Sequence, residues 1–237
     1  RLMHFSLRDH AFMFLQGASL FALNYWLFYV SELTLTSGLA AVIFSTIVVM
    51  NLLNGAIFLK NRLEIRVIAG AFIGLLGIML VFWPEVTDFE SGSENLFAAA
   101  LAVLATFLAS IGNIASARNQ RAGIPVVQAN TFGMTYGALL MLGLSWATGR
   151  EFTFELTLPY VSSLAFLSVF ASIIAFWSYL TLLGRVGVER AAYATLIFPL
   201  VALGISTIFE GYQWTAYAGI GILLILAGNL LILKRPT

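Results

Sequence analysis

Uncharged polar side chains at helical spacing are the groups in this sequence best placed to do chemistry. Ala102, Thr106, Ala109, Ser110, Asn113 and Ala117 fall within a sector of about 100° on an α-helix. Ala165, Ser168, Ser172, Ala175 and Tyr179 make a second stripe, with Phe166, Phe170 and Trp177 on the opposite side. Gly17, Phe21, Asn24 and Phe28 make a third, Ala41 and Ser45 a shorter fourth, and Tyr193 offers a hydroxyl early in a later helix. Such groups hold a small solute by hydrogen bonds and aromatic contact. The candidate solute contacts are therefore Asn24, Ser45, Thr106, Ser110, Asn113, Ser168, Ser172, Tyr179 and Tyr193. The competing role is structural, because Ser, Thr and Asn also cross-link helices in a bilayer. Asn24 and Asn113 carry the heavier demand, since each amide has four hydrogen-bonding sites to satisfy. Pro199 stands deep inside an apolar stretch, where it frees the carbonyl of Thr195 and kinks a helix, as a gating hinge or a static bend.

Signatures of enzymatic chemistry are absent from the sequence. It contains no His-Glu-x-x-His, no Gly-x-Ser-x-Gly, no P-loop and no paired intramembrane aspartates. His4 and His10 read as interfacial. There is no cysteine, which excludes disulfides, thiol catalysis and Cys-rich metal sites. The acids fall at helix ends or in loops, so no carboxylate stands near a membrane midplane to carry a coupling proton. The chain is read as a non-enzyme with no cofactor and no metal. Its expected partners are a small-molecule solute and membrane lipid. A net charge of +1 gives no reason to expect nucleic acid, and the oligomeric state is open.

The elements that must position these groups follow from composition. Of 237 residues, 60% are hydrophobic and 10% charged, with mean hydropathy +0.95. A soluble domain carries about 25% charged residues, so this chain has too little polar surface for water and reads as an integral membrane protein. A helix crossing the hydrocarbon core needs about 20 mostly apolar residues. Eight stretches qualify: 10–30, 36–59, 66–83, 95–117, 125–146, 158–183, 188–209 and 213–233. Pro125 and Pro159 stand at helix starts, and Pro84 follows the end of the third span. Alternate loops differ sharply in charge. One side holds Arg1, Arg8, Lys60, Arg62, Arg66, Arg118, Arg121, Arg185, Arg190, Lys234 and Arg235, and the other holds Arg150 alone. The bias puts both termini in the cytoplasm.

The chain repeats itself. An offset of 151 residues brings Trp26 onto Trp177, Ala40 and Ala41 onto Ala191 and Ala192, Gly70 onto Gly221 and Gly77 onto Gly228. Spans one to three thus correspond to six to eight, five crossings apart, so the copies traverse the membrane in opposite senses. This is the inverted-topology repeat of secondary transporters. Spans four and five lack partners in the first copy, and two helices are expected to precede Arg1. The expected organisation is a partial first repeat over residues 1–84, a linker over 85–94 and a five-helix second repeat over 95–237. Gly70-x-x-x-Gly74 and Gly133-x-x-x-Gly137 are read as internal packing faces.

Leu39-Ala40-Ala41, the matching Arg190-Ala191-Ala192-Tyr193 through Phe198-Pro199, then Glu210, Gly221 and Gly228, resemble the EamA pattern of the drug/metabolite transporter superfamily. The first copy departs from it, with Val48 where the proline would fall and Leu59-Lys60-Asn61 around the glutamate position. The resemblance implies ten helices, cytoplasmic termini, and export or exchange of small metabolites across an inner membrane, aromatic amino acids among them. The sequence thus predicts an all-α polytopic membrane protein of two inverted-topology five-helix repeats, eight helices of which are present. Its central cavity, expected from spans one, two, four, six and seven, would lack fixed charge and suit neutral, zwitterionic or aromatic solutes. The rival expectation is a non-transporting membrane scaffold or assembly factor, which predicts no water-accessible cavity.

Overall fold

The computed structural model describes residues 5–89, 92–149, 152–209 and 214–233, and each expected span is a helix in it. The helices are α1 (Leu7–Ser31), α2 (Ser37–Leu59), α3 (Ile65–Val81), α4 (Ser93–Arg121), α5 (Val126–Ala147), α6 (Leu158–Val186), α7 (Val188–Phe209) and α8 (Ala216–Leu233). Among the described residues, α1, α2, α4 and α6 are both long and apolar enough to cross a membrane, and α3 and α8 are shorter apolar helices. His4, Arg150, Glu210, Gln213, Lys234 and Arg235 lie outside the described residues. The side chain of Pro199, within α7, does so too.

Local chemistry sets the ends. Helix α1 starts three residues before the apolar run, because Ser6 caps it. The Ser6 hydroxyl accepts from the Asp9 backbone N–H at 3.2 Å, and the Asp9 carboxylate accepts from the Ser6 N–H at 3.3 Å. The Thr36 hydroxyl caps α2 by accepting from the Leu39 N–H at 3.3 Å, and Lys60 ends that helix in the left-handed conformation with φ 56°. Helix α3 stops at Val81 rather than Trp83. Phe82 turns the chain there (φ −102°, ψ 33°) and a short helix, Trp83–Thr87, begins with Pro84 at its start. Gly187, at φ 92°, separates α6 from α7 with a backbone conformation open to glycine.

The tightest crossing joins α3 to α8, and its pattern is reciprocal. A Cβ on Gly77 would lie 2.6 Å from the Gly221 carbonyl oxygen, and one on Gly228 would lie 2.7 Å from the Gly70 carbonyl oxygen. The repeat equates Gly70 with Gly221 and Gly77 with Gly228. Each glycine therefore meets the equivalent of the other, along antiparallel helices, as a two-fold axis perpendicular to them requires. Close backbone approach of this kind depends on small residues. Glycines 133 and 137 of α5 likewise pack against α1, at Gly17 and Phe21, so both Gly-x-x-x-Gly pairs serve internal contacts.

Helix α1 lies between α4 and α5. At the cation-rich end Arg118 bonds Asp9 at 2.9 Å and sits 4.1 Å over the Phe12 ring. One turn deeper, Gln16 donates to Asn130 at 2.9 Å and accepts from Asn119 at 3.1 Å. Helix α6 is placed differently. Its first half, through Ile174, contains no buried residue, whereas Leu180 and Leu183 in its second half are fully buried in the main core.

Candidate functional site

A cavity of about 510 Å³ opens among α1, α2, α4 and α6. Among the described residues, no lining residue comes from α7, expected on its wall; most side chains in the middle of α7 lie outside the described residues. Four pairs of repeat-equivalent positions face it together: Leu20 with Ala171, Asn24 with Ala175, Tyr25 with Phe176, and Phe28 with Tyr179. The cavity thus lies where the two repeats meet, the usual position of a site between inverted repeats. Its walls are aromatic. The Phe176 ring meets Phe21 edge-on at 4.9 Å and Tyr25 at 6.5 Å, and Phe28 meets Phe44 at 5.5 Å.

Polar groups come from α1, α4 and α6. Asn113, only 1% exposed, donates its Nδ2 to the Tyr179 hydroxyl at 3.2 Å and to Asn51 Oδ1 at 3.5 Å. Both contacts take the amide nitrogen, so the Asn113 carbonyl oxygen is the free end of the amide. That oxygen has no hydrogen-bond partner, and neither has Asn24 Oδ1 or Asn51 Nδ2. A buried acceptor without a donor costs about 1–3 kcal/mol. Two such acceptors beside one cavity favour an occupant that brings N–H or O–H groups. Glu32, immediately after the last residue of α1, also lines the cavity. The expectation of a cavity free of fixed charge is corrected there: the exposed carboxylate of Glu32 lies on the lining, because α1 ends beside the start of α2.

Of the nine residues expected to contact a solute, the structure brings Asn24, Asn113 and Tyr179 to this cavity and puts the other six elsewhere. Ser45 and Thr106 donate to the carbonyls one turn back, Ala41 and Ala102, each at 2.8 Å. Ser110 accepts from Asn54 Nδ2 at 2.8 Å, a buried clasp between α2 and α4. Tyr193 donates to the Val67 carbonyl at 2.6 Å, tying α7 to α3. Ser168 is exposed, and Ser172 bonds back to the Leu167 carbonyl at 2.9 Å.

The reason for the two α6 misplacements is local geometry. Residues Leu167–Ile174 are π-helical, with a wider turn than an α-helix. A stripe drawn at α-helical spacing through 165–179 slips out of register across that segment. Ala171, Ala175 and Tyr179 stay on the cavity, while Ser168 and Ser172 leave it. Helix α1 carries the counterpart, a π-helical stretch at Gly17–Leu23. The 151-residue offset carries 17–23 onto 168–174, so the two repeats share the irregularity as well as the helices. Tyr25, Tyr29, Phe44 and Phe176 were not anticipated. Their signal, aromatics one turn apart beside Asn24, looks in sequence like lipid-facing surface.

Comparison with known proteins agrees with this architecture. The EamA-like transporter family matches residues 3–83 and 96–234. The chain is 23% identical to Protein PagO of Salmonella typhimurium over 237 residues, covering 96% of this chain and 77% of PagO. It is 24% identical to an uncharacterized transporter of Clostridium kluyveri, covering 81% of this chain and 62% of that protein. A probable amino-acid metabolite efflux pump of Salmonella typhimurium is 23% identical, covering 86% of this chain and 69% of the pump. A crystal structure superposes with a TM-score of 0.78 at 17% identity, over 93% of this chain and 75% of the other, which shows a shared fold. A multi-pass helical bundle and a family match across both halves lead to one conclusion: the chain belongs to the EamA-like transporter family.

Proposed function

We propose that the protein carries small amino-bearing metabolites, amino acids and their aromatic relatives first, across the inner (plasma) membrane by alternating access. The observation that carries the reading is the cavity between the repeats, where aromatic walls surround two buried acceptors without donors, Asn24 Oδ1 and Asn113 Oδ1. An ammonium group supplies three donors to such acceptors, and aromatic faces attract a cation or stack on an indole or phenyl ring. The probable amino-acid metabolite efflux pump among the relatives is consistent with that solute class. Both termini are cytoplasmic in this reading, on the ground of the cation bias between alternate loops. The repeats divide near residues 84 and 95, with the linker between, a division supported by the two matched segments. The scaffold alternative has no use for an open cavity with unpaired acceptors.

Uptake into proteoliposomes, measured against a panel of amino acids and aromatic amines with and without a pH gradient, tests the reading. Saturable uptake of amino-bearing solutes over carboxylic acids of the same ring system is expected. Equal leakage of every solute, at matched protein incorporation, overturns it. A reporter fused after Thr237 tests the topology and is expected to read cytoplasmic.

A further inference from the structure

A second cavity, of about 400 Å³, lies at the cation-rich face between α4, α6 and α7. It is lined by Ala117, Gln120 and Arg121 of α4 and by residues from Thr181 to Val188 across the α6–α7 turn. Helices α4 and α6 thus line both cavities. Asn113 borders the first and Ala117 the second, one turn or about 6 Å apart along the helix axis. Fully buried Leu180 lies on α6 between Tyr179 and Thr181.

The internal repeat relates the two openings. Glu32 and Ser37 line the first cavity, and the same 151-residue offset carries them to Leu183 and Val188, which line the second. Under the two-fold relation seen at the α3–α8 crossing, the second cavity occupies the place of the first cavity's mouth on the opposite face. Its charge is reversed. Where the first mouth carries Glu32, the second carries Arg121 and Arg185. Arg121 donates to the Leu59 carbonyl at 3.0 Å and to Asn61 Oδ1 at 2.7 Å, and Asn61 in turn bonds the Glu189 carboxylate. Glu189 is the acid next to this opening, and the two arginines outnumber it. The Thr181 hydroxyl is buried without a partner.

We infer that this second cavity is the vestibule of the same pathway at the cation-rich face, and that Arg121 and Arg185 there receive the carboxylate of a carboxylate-bearing small solute. The inference rests on the proposed transport function for its solute, and its anion chemistry is shared with the phosphate of a lipid headgroup. A solute with both an amine and a carboxylate then meets arginines at one face and acceptors with Glu32 at the other.

The absence of cysteine allows a direct test in the full chain. Thr181→Cys is reacted, in proteoliposomes of neutral phosphatidylcholine, with a thiosulfonate reagent bearing a sulfonate and with one bearing a trimethylammonium group. The sulfonate reagent is expected to react faster from the cation-rich side. Arg185→Gln or Arg121→Gln in the same background should each lower the ratio of the two rates on the order of five-fold. Indole-3-propionate should protect the thiol and tryptamine should not. A rate ratio of one or below, a ratio that neither arginine substitution moves, or equal protection by both probes overturns the inference. Protection that develops only when anionic phosphatidylglycerol is added assigns the cavity to a lipid headgroup and overturns it as well. These rates do not depend on turnover, so a failure of transport would remove the proposed function without altering them.

Discussion

Asn113 offers the sharpest quantitative test of the cavity. Leucine keeps the branched shape of asparagine, with greater bulk, but supplies neither a donor nor an acceptor. The substitution removes two long contacts, at 3.2 and 3.5 Å, to Tyr179 and Asn51. Side-chain hydrogen bonds within membrane bundles average about 0.6 kcal/mol, so Asn113→Leu should cost folding stability about 1 kcal/mol. The effect on an occupant differs with its charge. A neutral N–H meeting the Asn113 carbonyl loses about 1 kcal/mol, roughly a five-fold weaker Kd. An ammonium making the same contact loses about 1.5–3 kcal/mol, roughly ten- to hundred-fold. Equilibrium binding of indole-3-acetamide and of tryptamine to purified protein separates the two cases, because the ring is common to both. The expected result is a small loss for the amide and a large one for the amine. Trp177→Leu is the control: Trp177 is 51% exposed and off the cavity, so it should weaken either ligand much less. Equal losses for the two ligands, or a larger effect of Trp177→Leu, would refute the assignment of the Asn113 carbonyl to an ammonium.

Two further predictions concern the frame around the site. Gly77→Ala and Gly228→Ala each put a Cβ within 2.6–2.7 Å of a facing carbonyl oxygen, an overpacking that costs about 1–3 kcal/mol. Thermal unfolding in detergent should show similar losses for the two, and the double variant should fall short of their sum. Gln16→Leu leaves Asn119 Nδ2 and Asn130 Oδ1 without their partner. The same assay should register a loss of about 1–3 kcal/mol, and a variant as stable as the parent would remove the amide cluster from the forces joining α1 to α4 and α5.

Much of the frame was legible in the sequence because its determinants are local or repeated. Each span is a run of apolar residues, and the 151-residue offset survives in glycines and alanines whose small size the packing needs. The site was legible only in part. Asn24 and Asn113 stood out because a buried amide has few structural uses. Ser168 and Ser172 misled because their placement depends on a π-helical segment, and no residue type marks such a segment. Glu32 was overlooked as a helix-end acid. Its position on the cavity depends on how the α1–α2 turn folds against α4, where Leu35 packs on Ala98 and Ala102, a tertiary fact. Of the aromatic lining, Phe28 and Tyr179 stood on the expected stripes and the other rings did not, since hydropathy alone gives a phenyl ring no preference between lipid and an apolar pocket.

The reciprocal crossing of α3 and α8 has a mechanical consequence. Points on a rotation axis do not travel, and points far from it travel in proportion to their distance. If one repeat tilts against the other about the shared glycine contact, the backbones there stay in register while the distant helix ends sweep the widest arcs. Gly70, Gly77, Gly221 and Gly228 then form a fulcrum, and the openings bordered by Glu32 and Arg185 are the ends of the lever. A bulky side chain at the fulcrum would do more than loosen the bundle. It would displace the pivot and lengthen one arm at the expense of the other, biasing which face of the protein stands open at rest.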